Sequence, residues 1–388
     1  MRFGSALDSS RASGDALPSV RIASFNVENL FERARALDPL DRKKGAPALA
    51  AYARINQVLG HTVYTEQDKT EIVVLLKALG LSKKDDGGSY AQLRQNRGRL
   101  LKRSRGKIEI VAAGRGSWIG WVELKMSPVN QLATQHTAMV INDVAADVLA
   151  VVEADNRPAL IKFGEIVFRR IKAPTYAHTM LIDGNDDRGI DVALLSRPDY
   201  EIVRIRSHVD DRDDRGLIFS RDCPEYTVTT PCGERLVLLV NHLKSKGYGS
   251  QADSNARRER QAHRIAEIYA RLISEGETNV VVLGDFNDFP ASPPLAPLLA
   301  QTDLRDISSH ANFDNGGRSG TYGNGTARDK IDYILLSPAL NDRVSGGGIF
   351  RKGAWGGKNG TLWEHYPTIK SAAQAASDHA AIYADLDL

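Results

Sequence analysis

The sequence predicts an α/β (α+β) fold, and three observations carry that expectation. Short β-branched runs such as 280–283 (VVVL) and 146–152 (ADVLAVV) suit buried strands and are too short for typical helices. Stretches with helical apolar spacing lie around them, at 66–81, 131–148 and 252–274. The apolar runs also end repeatedly in Asn, Asp, Glu or His. A buried strand with polar residues at its tip places them at a sheet edge, where α/β enzymes build their sites.

Taken in order, residues 1–19 are rich in Ser, Ala and Asp and read as a flexible tail. The run 20–31 (VRIASFNVENLF) reads as a strand followed by Asn26 and Glu28, two residues apart and so on one side of an extended end. From 32 to 140 the texture changes, and this span is expected to be an insertion. It holds the 66–81 helix, a polar loop at 83–90, a basic segment at 93–107 and a β-rich piece containing Trp118 and Trp121. Seven Lys or Arg and no acid lie between 94 and 107.

The 146–153 run then ends in Glu153. A polar loop (182–190) carrying Arg188 feeds a strand that opens with Asp191. Residues 206–221 are charged and read as a solvated loop. The strand at 235–240 ends in Asn241, His242 and Lys244, and the next helix carries Arg257, Arg258, Arg260 and Arg264. After VVVL, Gly284 closes the strand tightly and Asp285 and Asn287 follow. Asp332 opens another strand, residues 344–360 are Gly-rich and read as a mobile loop, and Asp378-His379 opens the last strand.

Bulk properties bound the function. The 388 residues exceed the usual single-core size, and the net charge of +3 means that an anionic partner must be met by a local patch. No apolar run approaches the roughly 18 residues needed to span a bilayer. Residues 1–21 hold no apolar leader core, so the chain reads as cytoplasmic, with secretion open if a leader had been removed. The two cysteines, Cys223 and Cys232, read as reduced thiols.

Strand ends rich in carboxylates and amides suit a hard divalent cation such as Mg²⁺, and two histidines beside it suit phosphoester hydrolysis. Zinc, Walker-loop and serine-elbow motifs (HExxH, GxxxxGK[ST], GxSxG) are absent from the sequence, which disfavours those chemistries.

The ordered motifs SFNVENLF, VLAVVE, RGIDVALLSR, VNHLKSK, VVLGDFND, DKIDYILLS and SDH resemble the endonuclease/exonuclease/phosphatase superfamily over about 20–31 and 144–388. The resemblance implies a four-layer α/β sandwich, two packed mixed β-sheets flanked by helices. It also implies Mg²⁺ (or Mn²⁺) held by Glu153 with Asn26, Glu28 and Asp378. Asp285 would orient or deprotonate water, and Asn287 would hold a phosphate oxygen or the metal. His379, fixed by Asp332, would contact the phosphate. His242, with Asp191 as its orienting partner, would protonate the leaving group.

For the substrate, the basic segment (Arg94, Arg97, Arg99, Lys102, Arg103) together with Arg188, Lys244 and Arg257 suits a phosphate backbone, with tryptophans for base stacking. The first expectation is therefore a monomeric nuclease, with DNA weakly preferred over RNA. The second is an enzyme acting on a phospholipid head group or small phosphoester, with Trp355 and Trp363 as a candidate docking loop. The third is a nucleic-acid-binding protein without catalysis.

Overall fold

The computed structural model describes residues 19–28, 34–37, 42–104, 106–125, 130–186, 189–246 and 250–388. The tail at 1–18 and Arg188 lie outside them. Two mixed sheets form the body. The first has seven strands in the order Phe313–Asp314, Val344–Phe350, Ala381–Asp387, Ser19–Asn26, Val148–Ala154, Asp191–Ser196 and His178–Ile182. The second has six: Arg305–Asp306, Asp332–Leu336, Val280–Asp285, Arg235–His242, Glu225–Thr229 and Glu201–Arg206.

The continuous apolar runs follow from burial of both sheet faces. Val281 and Leu283 point into the core between the sheets, with Ile22, Val148, Val152 and Leu194 opposite. Val280 and Val282 point outward, onto Ala262, Ile265 and Ile268 of the helix Gln251–Ser274. On the other outer face, Leu149 and Val151 meet Ala138, Val140 and Ile141 of the helix Gln131–Val144. Helix, sheet, sheet, helix is the four-layer sandwich expected.

The strands that carry the chemistry are adjacent and in register. Ser19–Asn26 runs parallel to Val148–Ala154, with Asn26 opposite Val152. Arg235–His242 runs parallel to Val280–Asp285, with His242 opposite Asp285, and Asp285 in turn faces Asp332 on the antiparallel neighbour. Parallel neighbours expose their C-terminal tips at one sheet end, which gathers these residues.

The inserted segment has its own small core. The helices Arg42–Leu59 and Glu66–Ala78 pack with strands Ala91–Arg97, Leu101–Ser104, Lys107–Ile110 and Ile119–Leu124 around Ile55, Ile72, Leu76, Leu93 and Trp118. A capping box at Thr65 and Asp68 starts the second helix. The helix Gln131–Val144 faces the body, so the insertion's packing ends at about Leu124.

Two loop expectations are corrected. Val344–Phe350 is a strand, because it pairs with Ala381–Asp387. Its glycines leave room for neighbours: a Cβ on Gly348 would sit 3.0 Å from the Tyr383 hydroxyl. The 206–221 loop is partly internal, with His208, Ser220 and Arg221 buried. His208 lies between Asp211 (2.8 Å) and Glu225 (2.6 Å), a pairing that makes its burial tolerable. Both cysteines are free thiols. Among the described residues no helix is long and apolar enough to cross a membrane.

Candidate active site

Asp285 is the hub. Its strand ends at Gly284, whose φ of 132° and a Cβ position 1.9 Å from the Asn241 carbonyl oxygen leave no room for a side chain. The Asp285 carboxylate then turns inward, 1% exposed. Its Oδ1 accepts the Asn287 backbone N–H at 2.8 Å. Its Oδ2 accepts from Asn26 Nδ2 and Asn287 Nδ2, each at 3.2 Å. The same Oδ2 lies 3.7 Å from His242 Nε2 and 4.0 Å from His379 Nε2. Burial first, and then the nearby Asp332 carboxylate, push Asp285 up to about 7. A carboxylate so placed can exchange a proton near neutral pH.

His379 is held from behind. Its Nδ1 donates to Asp332 Oδ2 at 2.8 Å, and that oxygen also accepts the Thr321 hydroxyl at 2.6 Å. Burial alone would lower the imidazole pKa, but Asp332, Asp285 and Asp378 together raise it well above its ordinary value. Its Nε2 is directed toward Asp285 and Asp378. Tyr322 lies over it at 5.0 Å between ring centroids.

Three residues near the site have left-handed backbones: Glu28 (φ 50°), Glu153 (φ 63°) and Asn287 (φ 55°). Non-glycine residues hold this conformation at a cost and concentrate at functional sites. Glu153 sits at a register shift between Val152 and Ala154, which re-aims its carboxylate to 3.8 Å from His242 Nε2. Glu28 donates its N–H to Asn26 Oδ1 at 3.0 Å and accepts from the Asp378 N–H at 3.2 Å.

The structure thus brings together Asn26, Glu28, Glu153, His242, Asp285, Asn287, Asp332, Asp378 and His379. Asp191 opens the neighbouring strand, buried, with Oδ1 accepting from the Gly184 N–H at 2.8 Å. Burial and the acidic Asp183 and Asp186 push it to about 7. Lys244 follows His242, its backbone N–H held by Gln261 Oε1 at 2.8 Å.

The basic residues are scattered by comparison. Arg94 pairs with Glu123 at 2.5 Å and Arg103 with Asp85 at 2.7 Å, whereas Arg97, Arg99 and Lys102 are exposed on the insertion. Trp118 is insertion core, donating to the Tyr64 hydroxyl, and Trp121 is exposed. The proposed docking pair is half-buried: Trp355 stacks on His365, and Trp363 Nε1 donates to the Ala354 carbonyl.

Several supporting residues carry no local signature in the sequence. Thr321 reaches Asp332 eleven residues on, and Ser377 accepts from the His379 N–H two residues on. Asp288, next to Asn287, is clamped by Lys246 (2.5 Å) and the fully buried Arg258 (2.9 Å). Arg258 on the arginine-rich helix is therefore a buried structural clamp.

Asp285, Asp332 and His379 offer donor atoms within 4.8 Å of one another, a buried group able to hold a metal ion. Asp332 Oδ1 is buried with no hydrogen-bond partner among the described residues, and the carboxylate-rich donor set around Asp285 suits a hard cation.

Paired strand tips that converge acids, amides and two histidines on one buried carboxylate define a phosphoesterase centre of the metal-assisted kind. The chain belongs to the Endonuclease/Exonuclease/phosphatase family, which it matches over residues 129–379. Among solved structures it is similar to a family protein from Bacteroides thetaiotaomicron, with 13% identity, 95% of this chain and 98% of that chain covered, and a TM-score of 0.49. It is similar to the mannosyl-6-phosphatase of the same organism, with 16% identity, coverages of 65% and 90%, and a TM-score of 0.48. A third is sphingomyelinase C from Streptomyces griseocarneus, with 18% identity, coverages of 66% and 92%, and a TM-score of 0.44. No curated protein matches the sequence.

Proposed function

We propose that this protein is a Mg²⁺-dependent phosphodiesterase that cleaves nucleic acid, DNA in the first instance, by in-line attack of water. The observation that supports it best is Asp285 Oδ2 lying within 4.0 Å of the Nε2 atoms of both His242 and His379. One carboxylate between two imidazoles can take a proton from water on one side of a phosphorus while a histidine serves the other side.

Oxygen-seeking Mg²⁺ would be held by Glu153, Asn26 and Asp285, with Glu28 and Asp378 bordering, because His379 is already bonded to Asp332 and nitrogen is a poor Mg²⁺ ligand. Bound there, Mg²⁺ supplies charge neutralisation for the phosphate. Asp285 accepts the proton of the attacking water, whose oxygen forms the new bond to phosphorus. His242 gives its proton to the leaving oxygen as the P–O bond breaks. His379 and the Asn287 amide steady the non-bridging oxygens.

A polynucleotide is favoured by the exposed Arg97, Arg99 and Lys102, which face solvent on the segment inserted after Asn26 and Glu28. Against the lipid alternative, Trp355 and Trp363 are engaged in packing. The test is incubation with labelled single- and double-stranded DNA in Mg²⁺, Mn²⁺ or EDTA, with RNA, small phosphomonoesters and sphingomyelin alongside. Metal-dependent DNA cleavage is expected. Turnover of a lipid or monoester with intact polynucleotides overturns the reading.

A further inference from the structure

The helix Gln251–Ser274 carries five arginines, and four are committed to carboxylates. Arg258 holds Asp288, and Arg260 pairs with Asp213. Arg264 binds Asp211 at 2.7 Å and Glu267 at 2.8 Å, and Arg271 binds Glu225 and Glu275. Arg257 differs. Its Nε is buried and has no hydrogen-bond partner among the described residues. Burial and the like charge of Arg260 both work against its cation, and only Asp186 offers partial relief. Asp186 is itself paired with the buried Arg221 at 3.0 Å. A buried Nε–H without an acceptor costs free energy, and a bound anion would recover it.

Its place in the fold points to substrate. The turn that carries Arg257 is strapped to the chain just after His242: Arg258 Nη1 donates to the Lys244 carbonyl at 2.5 Å, and Gln261 Oε1 accepts the Lys244 N–H at 2.8 Å. Asp288, also held by Arg258, directly follows Asn287. On the other side, Asp186 belongs to the loop that leads into Asp191, and Asp191 pairs with Ala154 beside Glu153. The turn of Arg257 is thus tied to the segment that follows His242, and its charge is within electrostatic reach of the loop that leads to Asp191.

We propose that Arg257 is a substrate-binding residue that grips a phosphate of the polynucleotide other than the one being cleaved. This deepens the nuclease reading and rests on it. A bidentate guanidinium–phosphate contact makes the site select substrates with consecutive phosphates over single phosphodiesters.

The test compares wild type, Arg257→Ala and Arg257→Lys on a DNA oligonucleotide and on bis(p-nitrophenyl) phosphate, a diester with one phosphate. The ratio of kcat/KM for the oligonucleotide to that for the small diester is expected to fall about 10- to 100-fold in Arg257→Ala. The loss should appear mainly in KM, with part of the ratio restored in Arg257→Lys, and thermal melting reports whether each variant folds. Equal losses on both substrates, or no loss on either, overturn the inference while leaving the nuclease reading in place. A wild-type chain that hydrolyses the small diester and spares the oligonucleotide overturns both.

Discussion

The body and the insertion handle charge in opposite ways. In the body, acids and histidines are buried at strand tips and held by one another: Asp332 fixes His379, while Asn26 and Asn287 fix Asp285. In the insertion, an apolar core built around Trp118 is covered by cations that are either paired, as Arg94 with Glu123, or left in water, as Arg97 and Arg99. Buried, mutually restrained charge has its pKa values and geometry set by neighbours, whereas exposed charge keeps its ordinary behaviour and acts through salt-dependent attraction. The nuclease proposal therefore assigns the chemistry to the body and salt-dependent attraction of the polynucleotide to the insertion, a division that substitutions can break.

The largest effect is expected where both histidines meet Asp285. His379→Ala and His242→Ala should each lower kcat by about 10²- to 10⁴-fold with an unchanged circular dichroism spectrum. Loss of less than tenfold in both would move the chemistry elsewhere. Thr321→Val removes only the hydroxyl that shares Asp332 with His379, and a loss of about 10- to 100-fold in kcat is expected. An unchanged rate would show that Asp332 needs no second partner.

The body should also show its buried charge in stability. Asp285, raised to about 7 by burial and by Asp332, keeps a proton in the folded state that the unfolded chain releases above its ordinary value near 4. His379, with its pKa raised well above the ordinary value, likewise holds its proton longer when folded. Both make the stability of the metal-free fold decline as pH rises, for Asp285 across about pH 4 to 7. Denaturant melts in EDTA should show that decline, and Asp285→Asn should flatten the part below about pH 7. Stability that rises through this window contradicts the assignment.

The insertion should give the smallest and most salt-dependent effect. Combined Arg97→Ala, Arg99→Ala and Lys102→Ala changes should weaken single-stranded DNA binding about tenfold at low salt, and lower the slope of log affinity against log salt by roughly two. Turnover of a small diester should stay within about twofold, since these side chains are exposed on the insertion. Equal DNA affinity for the variant and the wild type would remove the insertion from substrate capture.

What could be read from the sequence follows the same division. Asn26, Glu153, His242, Asp285 and His379 were legible because a polar residue at the end of an apolar run has a local signature. Thr321 was not, since its hydroxyl reaches Asp332 on a different element and leaves no pattern at either position. The strand Val344–Phe350 was hidden by its glycines, whose small size serves a neighbouring tyrosine that only tertiary structure supplies. The 131–144 helix was legible as a helix, but its periodicity could not say which core it faces. Arg258 and Arg257 sit side by side with the same residue type, and only packing separates a structural clamp from an arginine without an acceptor.

The most direct test of the account is the steady-state hydrolysis of bis(p-nitrophenyl) phosphate in Mg²⁺ by wild type and Asp285→Ala. A substrate with one phosphate bypasses the insertion and reports on the strand-tip cluster alone. The account predicts turnover that stops in EDTA and falls by about 10³-fold or more in the variant. A variant that retains more than a tenth of the wild-type rate would contradict it, because the carboxylate at the centre of the site would then not be taking part in the reaction.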